Sequence, residues 1–143
     1  MEDELAQAIT TVVCAFIITQ IFLKYIIEPA VLLKKSIGKI SFVFLANQSK
    51  LTNATGSEEL RQSIKDCSAS LMEGHQSIPF YKVIGPIFGL PAEQNIFESA
   101  KCLNVICSQL YVDPESGAIN QPMIIFENMK EIKERLGIII SYE

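Results

Sequence analysis

The chain has 143 residues, 49% hydrophobic and 20% charged, with mean hydropathy +0.28 and a formal net charge of −4. Setting aside Lys24 and the acids Glu2, Asp3, Glu4 and Glu28 leaves eleven basic and twelve acidic residues from Pro29 onward. That near-neutral balance argues against a nucleic-acid-binding domain, and the apolar excess exceeds what a soluble domain of this size ordinarily carries.

The excess is concentrated at the start. Residues 5–27, LAQAITTVVCAFIITQIFLKYII, hold a single charge, Lys24, and that near the end. About 20 mostly apolar residues, rising 1.5 Å each, cross the ~30 Å hydrocarbon core of a bilayer. The stretch reads as a membrane anchor behind an acidic leader. A cleaved signal peptide would carry a basic start, a shorter apolar run and a small-residue cleavage site, and none is present. The competing reading is a buried helix of a soluble protein, favoured by Gln7, Thr10, Thr11, Thr19 and Gln20, but core helices rarely run this long without a charge. Lys24 lies at the C-terminal end of the span, Lys34, Lys35 and Lys39 follow it and no Lys or Arg precedes it, so the C-terminal part is expected in the cytoplasm and the N-terminus outside. Tyr25 falls where an interfacial aromatic sits, and Lys24 can reach back to headgroups. Gln7, Thr10, Thr11 and Cys14 share one side of the helix, whereas Thr19 and Gln20 point elsewhere. Such polar groups either join helices, with Gln20 a further contact, or bond to their own preceding turn.

The division is therefore residues 1–28, leader and anchor, and residues 29–143, one cytoplasmic helical domain of about 115 residues with a modest core. Glu28-Pro29 is the expected joint, where a proline makes the helix kink or restart. Residues 30–50 follow as a helix with Leu33, Ile37, Ile40 and Phe44 on one stripe. Gly38 inside it costs about 1 kcal/mol relative to alanine, which a close helix crossing would justify. Residues 51–56 form a turn, and Thr55 with Glu58 offers a capping box. Over residues 57–76 the positions Leu60, Ile64, Cys67 and Leu71 keep helical spacing.

Residues 80–90 are short, very apolar and interrupted by Gly85-Pro86 and Gly89, which suits a broken core helix or an element touching the membrane surface. Pro91 is expected at the first turn of the next helix, with Ile96, Ala100, Leu103, Cys107 and Leu110 on its stripe. Asp113-Pro114-Glu115-Ser116-Gly117 is a turn by composition. A last helix begins at Asn120-Gln121-Pro122, aligns Ile125, Met129, Ile132 and Leu136, and ends at Gly137. The tail IIISYE suits a short strand or a packed extension. The fold class is all-α: one transmembrane helix followed by a small bundle of about five helices.

Catalytic patterns are not found. Cys14, Cys67, Cys102 and Cys107 lack any C-x-x-C spacing and read as reduced core or membrane residues. His75, the only histidine, sits at a helix end with no neighbouring nucleophile in sequence, and reads as a cap or surface group. Gly85-Pro86-Ile87-Phe88-Gly89 lacks the ending of a phosphate loop. Asn47-Gln48-Ser49 and Asn53-Ala54-Thr55 match the glycosylation sequon by chance if the domain is cytoplasmic. No catalytic, cofactor or metal site is expected.

The series Gln20-Ile21-Phe22, Lys24, Ile27-Glu28-Pro29, Ile37-Gly38 and Ile40, then Ile78-Pro79-Phe80-Tyr81, Leu90-Pro91 and Asn95-Ile96, resembles a family of short uncharacterised bacterial proteins. That resemblance implies an N-terminal membrane segment, a helical cytoplasmic domain and a bacterial inner-membrane location, and it carries no catalytic residues. The expected function is a non-enzymatic anchored module that self-associates or binds a membrane or cytoplasmic protein partner, with the lipid bilayer as its first partner. It would act on the membrane as a pore-forming or depolarising effector in defence or stress. The alternative is a tethered sensor or adaptor holding an apolar or lipid-like ligand in its helical core, with residues 80–90 as a lid.

Overall fold

The computed structural model describes residues 1–111 and 120–142, and among these there are helices and no strand. The expected turn at residues 113–117 lies outside the described residues. Seven helices follow in order: α1 (Glu2–Phe22), α2 (Glu28–Ala46), α3 (Gln48–Thr52), α4 (Glu58–Gln76), α5 (Tyr81–Ile87), α6 (Glu93–Gln109) and α7 (Gln121–Leu136).

The first two are one object. A π-helical turn, Leu23–Ile27, joins α1 to α2, so Glu2–Ala46 is a single helix of 45 residues, about 68 Å at 1.5 Å per residue. The restart expected at Glu28-Pro29 does not occur. Backbone at Ile27 and Glu28 stays right-handed helical, and the irregularity falls one turn earlier, where the Glu28 N–H donates to Leu23 O across five residues. Proline lacks an N–H and crowds the carbonyl four residues back; widening the turn that contains Tyr25 accommodates both.

Four long helices make the domain. α2 packs on α4, α4 on α6 and α6 on α7, while α7 also touches α3. The stripes expected from spacing are the buried ones: Leu33, Ile40 and Phe44 on α2; Leu60, Ile64, Cys67 and Leu71 on α4; Ile96, Ala100, Leu103 and Cys107 on α6, with Leu110 just after it; Ile125, Met129, Ile132 and Leu136 on α7. Ile37 is partly buried against them. Across α4 and α6 the Ser68 hydroxyl donates to Ala100 O at 3.2 Å, and the Arg61 guanidinium donates to Leu110 O at 3.1 Å while lying 4.3 Å over the Tyr111 ring. These pairings set the start of α4 beside the end of α6. The tail closes the bundle as an extended segment, not a strand. Ile138 and Ile140 are buried, and the Ser41 hydroxyl of α2 donates to Ile139 O at 2.6 Å.

Three local expectations are corrected. Gly38 is exposed and a Cβ there would meet nothing within 4 Å; the close crossing uses Gly74 on α4, whose Cβ position is 3.1 Å from Leu33 Cα. α4 is capped by Ser57, which accepts from the Leu60 N–H at 3.2 Å, whereas the Thr55 hydroxyl turns back toward Lys50 O at 3.4 Å. α6 begins at Glu93 with Ala92 as its N-cap, so Pro91 stands outside the first turn. At the other end of α7, Gly137 takes the left-handed conformation, φ 67°, as its C-cap position requires.

Candidate functional site

Two features stand apart from the packed core: the whole of α1, and the end of the domain nearest to it. One N-terminal helix is long and apolar enough to cross a membrane. None of the α1 residues is buried anywhere in the chain, and Leu5, Ile9, Val12, Val13, Phe16, Ile17, Ile18, Ile21 and Phe22 all present large apolar surface. A core helix of this chain would bury that stripe, so α1 is not one.

Its polar residues are arranged unevenly. Gln7, Thr10, Thr11 and Cys14 line one shallow groove with Asp3, Ala6, Ala15 and Ile18. Gln20 lies outside that groove. The Thr10, Thr11 and Thr19 hydroxyls each donate at 2.8 Å to the carbonyl four residues back, so their own helix satisfies them. Small side chains four apart, Ala6-Thr10-Cys14 and Thr11-Ala15, are the spacing that lets two helices approach closely in lipid. Lys24 and Tyr25 are exposed within the π turn, Glu28 is exposed, and Pro29 is half-buried where the domain begins to cover the helix. Burial on this long helix starts at Ile26 and is complete at Ala30.

Near that level sits the only histidine. His75 belongs to the last turn of α4 and is 8% exposed, which corrects the expectation of a surface cap. Its ring packs against Tyr81 of α5, centroids 4.5 Å apart, and edge-on to Phe97 of α6 at 5.1 Å. Nε2 lies 3.4 Å from Glu93 Oε1 but is not aligned as a hydrogen bond, and neither ring nitrogen has a hydrogen-bond partner. The Tyr81 hydroxyl donates to Pro91 O at 2.7 Å. Burial, and then the Glu93 carboxylate, push that phenol up to about 12. A cleft of about 370 Å³ opens beside this group between α5 and the start of α6, lined by Tyr81, Lys82, Pro86, Leu90, Pro91, Ala92 and Glu93.

The grouping of His75, Tyr81 and Glu93 was not visible in the sequence. They come from three helices separated by proline-containing turns, and no spacing rule links them. Among the described residues no three His, Cys, Asp or Glu side chains converge as metal ligands would. Cys67, Cys102 and Cys107 are buried thiols whose burial pushes them up, Cys102 to about 11 with the Glu131 carboxylate adding to it. Glu131 is itself held below the usual carboxylate range by Arg135, at 2.6 Å, and by Cys102.

No protein-family model, curated protein or solved structure matches the chain.

Proposed function

We propose that the chain is a non-enzymatic, single-pass membrane protein of the bacterial inner membrane, N-terminus out and domain in the cytoplasm, which self-associates through its anchor and acts on the membrane as an effector. The observation that carries this is the complete exposure of α1. Its nine large apolar side chains, about half to two-thirds exposed, forfeit on the order of 10 kcal/mol of transfer free energy if left in water. Lipid, or lipid shared with further copies, removes that cost. Lys24, Lys34, Lys35 and Lys39 on the domain side support the orientation, and the bacterial location rests on the family resemblance.

The small and polar face of α1 supports association, because leaving Gln7 toward acyl chains costs more than turning it to a neighbouring helix. The uninterrupted helix from Glu2 to Ala46 supports mechanical coupling: a rotation of the domain reaches the span without a flexible linker to absorb it. The test is the mass of the full chain in nanodiscs, native against Thr11→Leu. A defined oligomer that Thr11→Leu dissociates, together with toxicity on overexpression that the same change abolishes at equal protein level, supports the reading. A monomer, or harmless expression with unchanged permeability, contradicts it.

The cleft beside α5 favours a second reading, a tethered sensor or adaptor for an apolar or lipid-like ligand. Its volume lies at the lower end of the ~300–1,000 Å³ typical of small-molecule sites. Absence of co-purified lipid and of any thermal shift across a lipid panel removes it.

A further inference from the structure

We infer that α5 is a second membrane contact, its Phe80, Val83 and Ile87 face seated in the surface of the same bilayer from which the anchor emerges. This rests on the anchor reading proposed above.

The first observation is the face itself. α5 turns Tyr81, Ile84 and Gly85 into the domain and leaves Phe80, Val83 and Ile87 at 83%, 65% and 74% exposure. Val83 and Ile87, four residues apart, stand one above the other, and Phe80 precedes them by a turn. Phe80 is held outward at a price, because its backbone is left-handed at φ 51°, a conformation that bulky L-residues disfavour. Eight residues, 80–87, that bury one side and present a phenylalanine, a valine and an isoleucine on the other match an interfacial element better than a solvent loop.

The second observation is where α5 lies. Gly74 near the end of α4 packs against Leu33 near the start of α2, so α4 runs antiparallel to α2 and delivers the chain back toward the anchor. Leu33 is only about 12 Å along the helix from Tyr25 at 1.5 Å per residue. After four intervening residues α5 begins, with the Tyr81 ring packed at a tilt against His75. Packing against the domain continues down the long helix to Ile26, the residue after the interfacial Tyr25. The domain therefore reaches the headgroup layer, which adds about 5–7 Å on each side of the hydrocarbon. The charges at this end are the exposed Lys24, Lys34, Lys35 and Lys82 against the exposed Glu28 and Glu73 and the part-exposed Glu93, a small cationic excess that suits anionic headgroups. Apolar surface at the end of the domain from which the anchor emerges, with Lys82 on the same short helix, has the bilayer as its nearest occupant.

The chain contains no tryptophan, so a single introduced indole reports its own surroundings. Phe80→Trp and Ile87→Trp are made in the full chain and reconstituted into vesicles of phosphatidylethanolamine and phosphatidylglycerol, with and without lipid brominated near the headgroup end of the acyl chain. Phe22→Trp in the span is the positive control. Phe126→Trp is the negative control, on the exposed side of α7 beside Gln48 and Thr52 at the far end of the domain. Phe80→Trp and Ile87→Trp are expected to emit blue-shifted from Phe126→Trp and to be quenched several-fold more strongly by brominated lipid. Water-like, unquenched emission at both positions while Phe22→Trp is quenched overturns the inference and leaves the anchor standing. Blue-shifted but unquenched emission overturns it too, since the face is then covered by protein. An unquenched Phe22→Trp removes the anchor reading and this inference with it.

Discussion

Two glycines in the α2–α4 pair should respond to substitution with opposite signs. Gly38 lies in the exposed interior of α2 with open space around its Cβ position. Gly38→Ala therefore collects the helix-propensity difference, about 1 kcal/mol of added stability, with nothing to offset it. Gly74 is the close crossing: a Cβ there stands 3.1 Å from both Leu33 Cα and Leu33 Cδ1, inside the ~3.5–4.0 Å of an ordinary carbon contact. Leu33 is fully buried and its Cα belongs to a backbone held on both sides by helix, so it has nowhere to move. Gly74→Val adds two further methyls to that contact. Overpacking of this kind costs about 1–3 kcal/mol, and valine recovers only a few tenths from propensity, so a net loss of about 2 kcal/mol is expected. For a domain of this size 1 kcal/mol moves Tm by roughly 4 °C, which puts Gly38→Ala about 4 °C up and Gly74→Val about 8 °C down. Differential scanning calorimetry of the full chain in mild detergent reads both. A destabilised Gly38→Ala, or a Gly74→Val that melts with the native chain, would refute the placement of the crossing.

Other consequences are as specific. Ser57→Ala removes the α4 cap and should cost about 1 kcal/mol, whereas Thr55→Ala should cost far less; equal losses in urea melts would reinstate Thr55 as the cap. The Tyr81 phenol is raised from its ordinary 10 to about 12, so the folded state favours its neutral form; the stability it lends is whole below pH 10 and is lost as pH climbs toward 12. Tyr81→Phe should flatten the native chain's loss of stability in that window while costing about 1 kcal/mol at neutral pH for the hydrogen bond to Pro91 O, and an unchanged alkaline slope would contradict the assignment. Thiol titration of the folded chain in detergent should find Cys67, Cys102 and Cys107 silent until denaturant is added; a fast thiol among these three in the native chain would show the core to be open.

How much of this could be read from the sequence depended on whether the cause was local or distant. The four buried stripes were legible because a helix repeats every 3.6 residues and a core needs one apolar face from each, so Leu60, Ile64, Cys67 and Leu71 announce themselves. Gly137 was legible because a helix end with a glycine just beyond it has one cheap conformation. Proline at position 29 gave the disturbance but not its form, since a π turn and a break satisfy the same missing N–H. Gly38 misled for a different reason: two glycines, Gly38 and Gly74, fall on the facing helices, and only the register of α2 on α4 decides which one meets a backbone. The cluster of His75, Tyr81, Phe97 and Glu93 is likewise a product of tertiary register. The apolar piece at residues 80–90 buries one side in the core, as its composition allowed, and leaves the other exposed.

The account stands or falls on where α1 resides. Alkaline carbonate extraction of membranes from cells expressing the full chain tests this most directly, compared with a Val13→Lys, Ile17→Lys variant. Each lysine at mid-span costs about 2.5–3.5 kcal/mol of insertion free energy while leaving the packed domain untouched. The native chain is expected to stay entirely in the lipid pellet and the double-lysine variant to be released with the peripheral proteins. A native chain that washes off with the variant would contradict the anchor.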